Sequence, residues 1–289
     1  MILLRTIAEA RAAVQAARAA GAGASPAVGF VPTMGALHEG HLALLRRARE
    51  GCGFVVASVF VNPRQFNDAR DLAAYPRQEA RDAELAAAAG ADLVLAPAAE
   101  EIYPEGHATS VHVGGAAVGY EGDRRPGHFD GVATVCLKLF NIVAPDVVYF
   151  GQKDAQQAAV IRQIARDLNL NLTVEIGPTV RDGDGLALSS RNARLSADER
   201  RRAQSIPRAL RLALSAYRRG EDPIDAARAA LDDLTVEYVD LATFDGQPTL
   251  VIAARAGATR LIDNVPLERP DLAGLADPGM PADRTPGSR

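Results

Sequence analysis

Along the first 180 positions the apolar pattern switches repeatedly between the 3.6-residue spacing of a helix and the unbroken runs of a buried strand. From residue 5 to residue 20 the apolar positions recur at helical spacing, and Gly21 and Gly23 end the run. Val28 to Val31 reads as a short buried strand, His41 to Glu50 as a helix, and Phe54 to Val61 as a second strand. A helix from Pro76 to Ala89 stops at Gly90, and Asp92 to Ala96 is a third strand. Thr109 to Val113 alternates like a shorter strand before the Gly-rich stretch GGAAVGYEGDRRPGH. A helix from Phe129 to Val143, a strand from Asp146 to Phe150, a helix from Gln156 to Leu168 and a strand from Leu172 to Ile176 complete the series.

Apolar strands that alternate with helices predict an α/β fold: a Rossmann-like, doubly wound parallel sheet with helices on both faces. The pattern changes at the polar hinge Arg181-Asp182-Gly183-Asp184-Gly185. Two helices follow, over 197–219 and 223–234, and then three strand-like runs over 236–244, 249–257 and 259–265. That order predicts a smaller C-terminal α+β domain. The expected division is 1–182, 183–269 and a Pro- and Gly-rich flexible tail over 270–289.

Composition narrows the class. Of 289 residues 48% are apolar and 24% charged, the balance of a globular protein rather than a disordered or fibrous one. With 32 basic and 36 acidic residues the net charge is −4, which argues against a nucleic-acid partner. No apolar run reaches the ~20 residues needed to span a bilayer, so no membrane partner is expected. Cys52 and Cys136 sit far apart in apolar runs and read as buried free thiols, and a cytoplasmic location is expected. Of the basic residues only Lys138 and Lys153 are lysine. A lysine in so Arg-rich a chain marks a place where a guanidinium does not serve.

Three loops carry candidate chemistry. Pro32-Thr33-Met34-Gly35-Ala36-Leu37-His38-Glu39-Gly40-His41 follows a strand and opens a helix. Strand ends and helix N-termini are where such a sheet binds phosphate. His38 and His41, three apart, point the same way and can donate to phosphate oxygens. The bland alternatives are a helix cap or a zinc pair. Tyr149-Phe150-Gly151-Gln152-Lys153-Asp154 ends another strand and carries one of the two lysines; alone it reads as a surface lysine. Leu186-Ala187-Leu188-Ser189-Ser190-Arg191-Asn192 follows the hinge and groups two hydroxyls with a guanidinium, a phosphate clamp or an ordinary helix-start segment.

Together with Asn62-Pro63-Arg64-Gln65-Phe66, Tyr75-Pro76-Arg77, RPGHFDGVATV and Leu261-Ile262-Asp263-Asn264-Val265, these segments resemble the pantothenate synthetase family over residues 1–268. That family lies within the nucleotidyltransferases with a His-x-Gly-His signature. The resemblance implies an ATP-dependent ligase that joins pantoate to β-alanine through a pantoyl-adenylate and releases AMP and pyrophosphate. It implies a homodimer and magnesium. By position, it places Met34 to His41, Gly151 to Asp154, Val180 and Leu188 to Arg191 on ATP. His41, His38 and Lys153 become catalytic, His41 as general acid. Gln65 and Gln157 hold pantoate, and Asp82, seven residues after Tyr75, is the expected magnesium-associated carboxylate. Leu188 stands where the family often has Met, and Gln152 where a charged residue is common. The rival readings are a nucleotidyltransferase acting on a phosphate, which would need more positive charge, and a catalytically silent nucleotide-binding scaffold.

Overall fold

The computed structural model describes residues 1–20, 27–231 and 233–275. The expected helix stop at Gly21 and Gly23, and residues 276–289 of the expected tail, lie outside the described residues. The first part of the chain runs β1 (Ile2–Leu4), α1 (Ile7–Ala20), β2 (Val28–Thr33), α2 (Glu39–Gly51), β3 (Phe54–Val59), α3 (Ala69–Ala73) and α4 (Glu79–Ala88). It continues through β4 (Leu93–Leu95), α5 (Ala99–Ile102), α6 (Tyr120–Arg124), α7 (His128–Val143), β5 (Val147–Gly151), α8 (Ala155–Asp167) and β6 (Thr173–Gly177).

All six strands form one parallel sheet in the order β1-β4-β3-β2-β5-β6. Each face is buried, which is why the strands are unbroken apolar runs. Val28 and Phe30 of β2 pack with α1, α7 and α8, while Val31 faces the opposite way, onto Leu44, Leu45 and Ala48 of α2. The chain winds from β2 outward to β3 and β4, then returns to place β5 on the other side of β2. Ligands of such sheets bind where this direction reverses, outside the carboxyl ends of β2 and β5.

Several elements differ from the expectation. Thr109 to Val113 joins no sheet; instead the Val111 N–H donates to Thr134 Oγ1 (2.9 Å) and the Val113 N–H to Asp130 Oδ1 (3.1 Å). Side chains of α7 thus replace a neighbouring strand along one edge of this extended segment. The expected helix over 197–219 is two, α9 (Ala197–Ala203) and α10 (Ser205–Arg218). Pro207 has no N–H to carry the ladder through. The second expected helix is short, α11 (Pro223–Arg228). Strand β1, three residues long, is too brief to show as a pattern.

The C-terminal sheet is antiparallel, in the order β7 (Thr235–Phe244), β8 (Gln247–Ala256), β9 (Thr259–Pro266). Asp245-Gly246 closes the first hairpin with positive φ at both residues (51° and 77°), the turn that matches strand twist. One face of the sheet packs on α10 and α11 in a cluster of its own that includes Ile206, Leu210, Leu231 and Ile252. Residues 270–275 are packed rather than loose: Ala273 is fully buried, and the Thr179 N–H donates to Leu272 O at 2.8 Å. Buried polar contacts join the two sheets' surroundings. Arg181 makes a bidentate pair with Asp263 (2.7 and 3.0 Å), and Arg260 makes another with Glu121 (2.7 and 2.6 Å).

Candidate active site

A cavity of about 1150 Å³ opens outside the carboxyl ends of β2 and β5, with the C-terminal sheet forming its opposite wall. That exceeds the ~300–1,000 Å³ of a site for one drug-sized ligand. Of the first expected loop, Met34, His38, Gly40 and His41 line it. So do Gly151, Lys153 and Asp154 after β5, Val180 and the run Leu188 to Arg191, and the two glutamines Gln65 and Gln157. Six expected residues do not face it: Gly35, Ala36, Leu37, Glu39, Gln152 and Asp82.

The histidine pair does two things at once. The Gly40 N–H donates to His38 Nδ1 (3.2 Å) and the His38 N–H donates to His41 Nδ1 (3.3 Å), a reciprocal capping box at the start of α2. An accepting Nδ1 leaves each ring's proton on Nε2. The rings lie 4.1 Å apart. Burial, and then the charge of Lys153, hold His38 below the usual imidazole range. Burial, and then His38, push His41 down to about 3. At neutral pH both are therefore uncharged N–H donors. The cap reading and the donor reading describe the same two side chains.

Asp82 stands behind this loop rather than in front of it. It is 1% exposed, and its two oxygens accept from the Ala36 N–H (2.9 Å) and the Leu37 N–H (2.8 Å). Gly35 has φ +82°, and a Cβ there would sit 2.8 Å from Asp82 Oδ2. The carboxylate thus anchors the turn that delivers His38, and it has no open face for the magnesium expected there. Glu39 pairs with Arg46 on the outer surface.

Lys153 and Asp154 sit on a single 3-10 turn, Gln152–Asp154, between β5 and α8, with Nζ 3.3 Å from Asp154 Oδ1. Desolvation raises the Asp154 carboxyl, but Lys153, Arg191 and Arg125 outweigh it and hold the group below the usual carboxylate range. Gln152 points away from the cavity: its amide donates to Asn264 Oδ1 of β9 at 2.9 Å. Ser189 caps the following 3-10 turn, Ser190–Arg194, by accepting from the Arg191 N–H (3.3 Å). No group of three or more His, Cys, Asp or Glu side chains able to hold a metal ion occurs among the described residues. A dedicated cage is therefore not what these residues form.

Gln65 is oriented from behind. Its Oε1 accepts from Asn62 Nδ2 (2.8 Å), and Asn62 Oδ1 in turn accepts from Tyr103 Oη (2.9 Å). The Gln65 NH₂ group is left to donate to a ligand. The close approach of Gly131 seats α7 against this turn, since a Cβ there would lie 2.2 Å from Arg64 O. Two residues to which the sequence reading gives no role stand beside Gln65. His128 Nδ1 donates to Gln65 O (3.0 Å), and Arg125 donates to Gln65 O (3.2 Å) and to His128 Nε2 (3.1 Å). Burial, and then Arg125, push His128 down to about 4. Burial also lowers Arg125, against the pull of the Glu121 and Asp154 carboxylates, with neither of which it forms an ion pair. Arg125 and His128 both lie in the quoted motif RPGHF. The motif is visible in the sequence; that its guanidinium forms no ion pair among the described residues is not.

The family model described as pantoate-beta-alanine ligase matches residues 2–266. Pantothenate synthetase of Cereibacter sphaeroides is 50% identical over 280 residues, 92% of this chain and 99% of that protein. That of Moorella thermoacetica is 49% identical over 284 residues, 93% and 99% of the two chains. Among solved structures, pantothenate synthetase from Thermus thermophilus superposes with a TM-score of 0.85 at 43% identity, covering 92% of this chain and 99% of that one. Pantoate-beta-alanine ligase from Francisella tularensis, complexed with beta-gamma ATP and beta-alanine, gives 0.78 at 34% identity, with 93% and 98% covered.

Proposed function

The chain belongs to the pantoate-beta-alanine ligase family, and from that premise we propose that its cavity carries out the ligation in two steps through a pantoyl-adenylate. In the first, the pantoate carboxylate attacks the α-phosphorus of ATP and pyrophosphate leaves. In the second, the β-alanine amine attacks the acyl carbon and AMP leaves. The observation that carries this reading is the gathering of His38, His41, Lys153, Ser189 and Arg191 around one cavity from three separate loops. These are N–H, ammonium, hydroxyl and guanidinium groups that can stabilise charge on phosphate, and no protein nucleophile is needed because the pantoate carboxylate is the nucleophile.

Lys153 follows the α-phosphate, and His38 and His41 donate Nε2–H to phosphate oxygens. Their lowered proton affinity supports a donor role in place of the general-acid role that the resemblance implied for His41. A carboxylate nucleophile and a pyrophosphate leaving group need no proton at this step. Arg191 and the two serines close on the phosphates from the other side. Magnesium enters with ATP, as a companion of its phosphates; no step here depends on a protein-held ion.

Gln65 and Gln157 hold pantoate, with Phe129 and Val132 of α7 on the same wall to take its methyl groups. The β-alanine carboxylate keeps its charge throughout and needs a cation. Arg125, beside Gln65 and in no ion pair among the described residues, supplies it. The division into a nucleotide-binding body over 1–182 and a lid over 183–269 belongs to this proposal. So do the cytoplasmic location and the homodimer. The outer edge of residues 109–113, extended and joined to no strand among the described residues, supports the dimer as a place where a second copy can pair.

The test is an AMP assay on the intact protein and on Arg125→Ala. AMP should form at a steady rate only with ATP, pantoate and β-alanine together. The Arg125→Ala protein should still release pyrophosphate in a first turnover but need ~10–100-fold more β-alanine. AMP formation independent of either acid would sink the ligase reading, and an unchanged β-alanine requirement would remove Arg125.

A further inference from the structure

Asn264 lies on β9, in the opposite sheet from the catalytic loops, and is 3% exposed. Its side-chain amide makes three contacts to the turn that carries Lys153. Nδ2 donates to Gln152 O (3.0 Å) and to Lys153 O (2.9 Å), and Oδ1 accepts from Gln152 Nε2 (2.9 Å). Both donor hydrogens thus go to two successive carbonyls of one short 3-10 turn. Such a turn has few internal hydrogen bonds of its own and cannot hold its shape by them.

β9 itself is fixed at this level. Asp263 accepts from the Asn264 N–H (2.9 Å) and makes the buried bidentate pair with Arg181. Arg181 Nε also donates to Ala273 O at 2.8 Å. Asn264 is therefore a rigid arm of the C-terminal sheet that ends on the Lys153 turn. A side chain that follows a moving phosphate tolerates little error in its backbone: a misplacement of about 1 Å costs on the order of 10²-fold in rate.

We infer that Asn264 is a positioning residue for Lys153, so that the ammonium is correctly placed only while the C-terminal sheet is seated. This rests on the proposed role of Lys153 in adenylate formation. It makes the first chemical step dependent on the wall that shuts water out. A reactive acyl-adenylate then forms mainly when it is protected.

The experiment is a double-mutant cycle on the full-length protein, with single-turnover pyrophosphate release as the readout. Asn264→Ala and Lys153→Ala are measured alone and together, with melting temperature and the pantoate requirement recorded for each. Asn264→Ala should slow adenylate formation ~10–100-fold with the pantoate requirement within about threefold of normal. In the Lys153→Ala background the same change should cost less than about threefold, because the group it positions is gone. Asn264→Asp keeps the acceptor for Gln152 but sets an anion against two carbonyls, and should be at least as slow as Asn264→Ala. Should Lys153→Ala be fully active, the reading of the site fails. Should Lys153→Ala be slow while Asn264→Ala is normal in rate, or loses the same factor in both backgrounds, the positioning inference fails and only a structural contact remains.

Discussion

The two walls of the cavity are built on different terms. On the parallel-sheet side, each proposed reacting group sits within eight residues of the end of the strand before it. His38 and His41 hold each other through the cap of α2, and Lys153 follows β5 by two residues. On the antiparallel side the residues that matter, Arg260 and Tyr238 with Glu121, and Asn264 with Gln152, meet groups more than a hundred positions away. One wall is assembled by local backbone geometry, the other by docking. The first should tolerate loss of the second as a fold but not as a catalyst.

The largest expected effect follows from that asymmetry. A chain ending at residue 183 retains every buried member of the two apolar clusters that cover the parallel sheet, none of which lies beyond Ile176. It should keep a folded far-ultraviolet circular dichroism spectrum. It should lose Ser189 to Arg191 and the Asn264 arm, and with them ~10³-fold or more in adenylate formation. Adenylate production at the full-length rate would show that the parallel-sheet wall suffices and would end the comparison.

A change on the local wall sharpens it. His41→Ala should slow adenylate formation ~10²–10⁴-fold. It also removes the acceptor of the His38 N–H, so unfolding in urea should show a loss of ~1 kcal/mol. Function and cap are predicted to fail together here, whereas Asn264→Ala separates them. A variant that keeps its activity would leave His41 as a cap alone.

The last effect is in the dependence of stability on pH. His41 and His128 have folded-state pKa values of about 3 and about 4, against 6.5 when exposed. Between these limits the unfolded chain binds more protons than the folded one, so stability is full above about pH 6.5 and is lost as pH falls below it. Each histidine contributes a slope approaching ~1.4 kcal/mol per pH unit. Urea midpoints from pH 7 to 4.5 should fall, less steeply in His41→Gln. Only the upper part of this window, above about pH 5.5, is clear of carboxylate titration. A flat profile would mean that the histidines are not desolvated as the structure has them.

The residues that carry local instructions are legible along the chain. Val28, Phe30 and Val31 announce a strand buried on both faces, and Asp245-Gly246 is a hairpin turn in any context. His38 and His41 at a spacing of three have to share one side of a helix start. Such features depend on contacts within a few residues, and the pattern shows them. The Thr109–Val113 segment marks the limit: its alternation is real, but its partners are Thr134 and Asp130 on α7 and not a strand.

What only the tertiary structure decided are the choices among partners. Asp82 could have faced a metal; burial behind Gly35 gave it two backbone N–H groups instead. Gln152 adjoins Lys153 in sequence yet turns to Asn264, because β9 brings an amide oxygen within hydrogen-bond distance there. Arg125 is proposed as a carboxylate site because folding leaves its guanidinium beside Gln65 in no ion pair among the described residues. A side chain's chemistry is written in its residue type. Whether a buried polar group is satisfied by its own chain or left for a ligand depends on which distant residue is brought within about 3 Å of it.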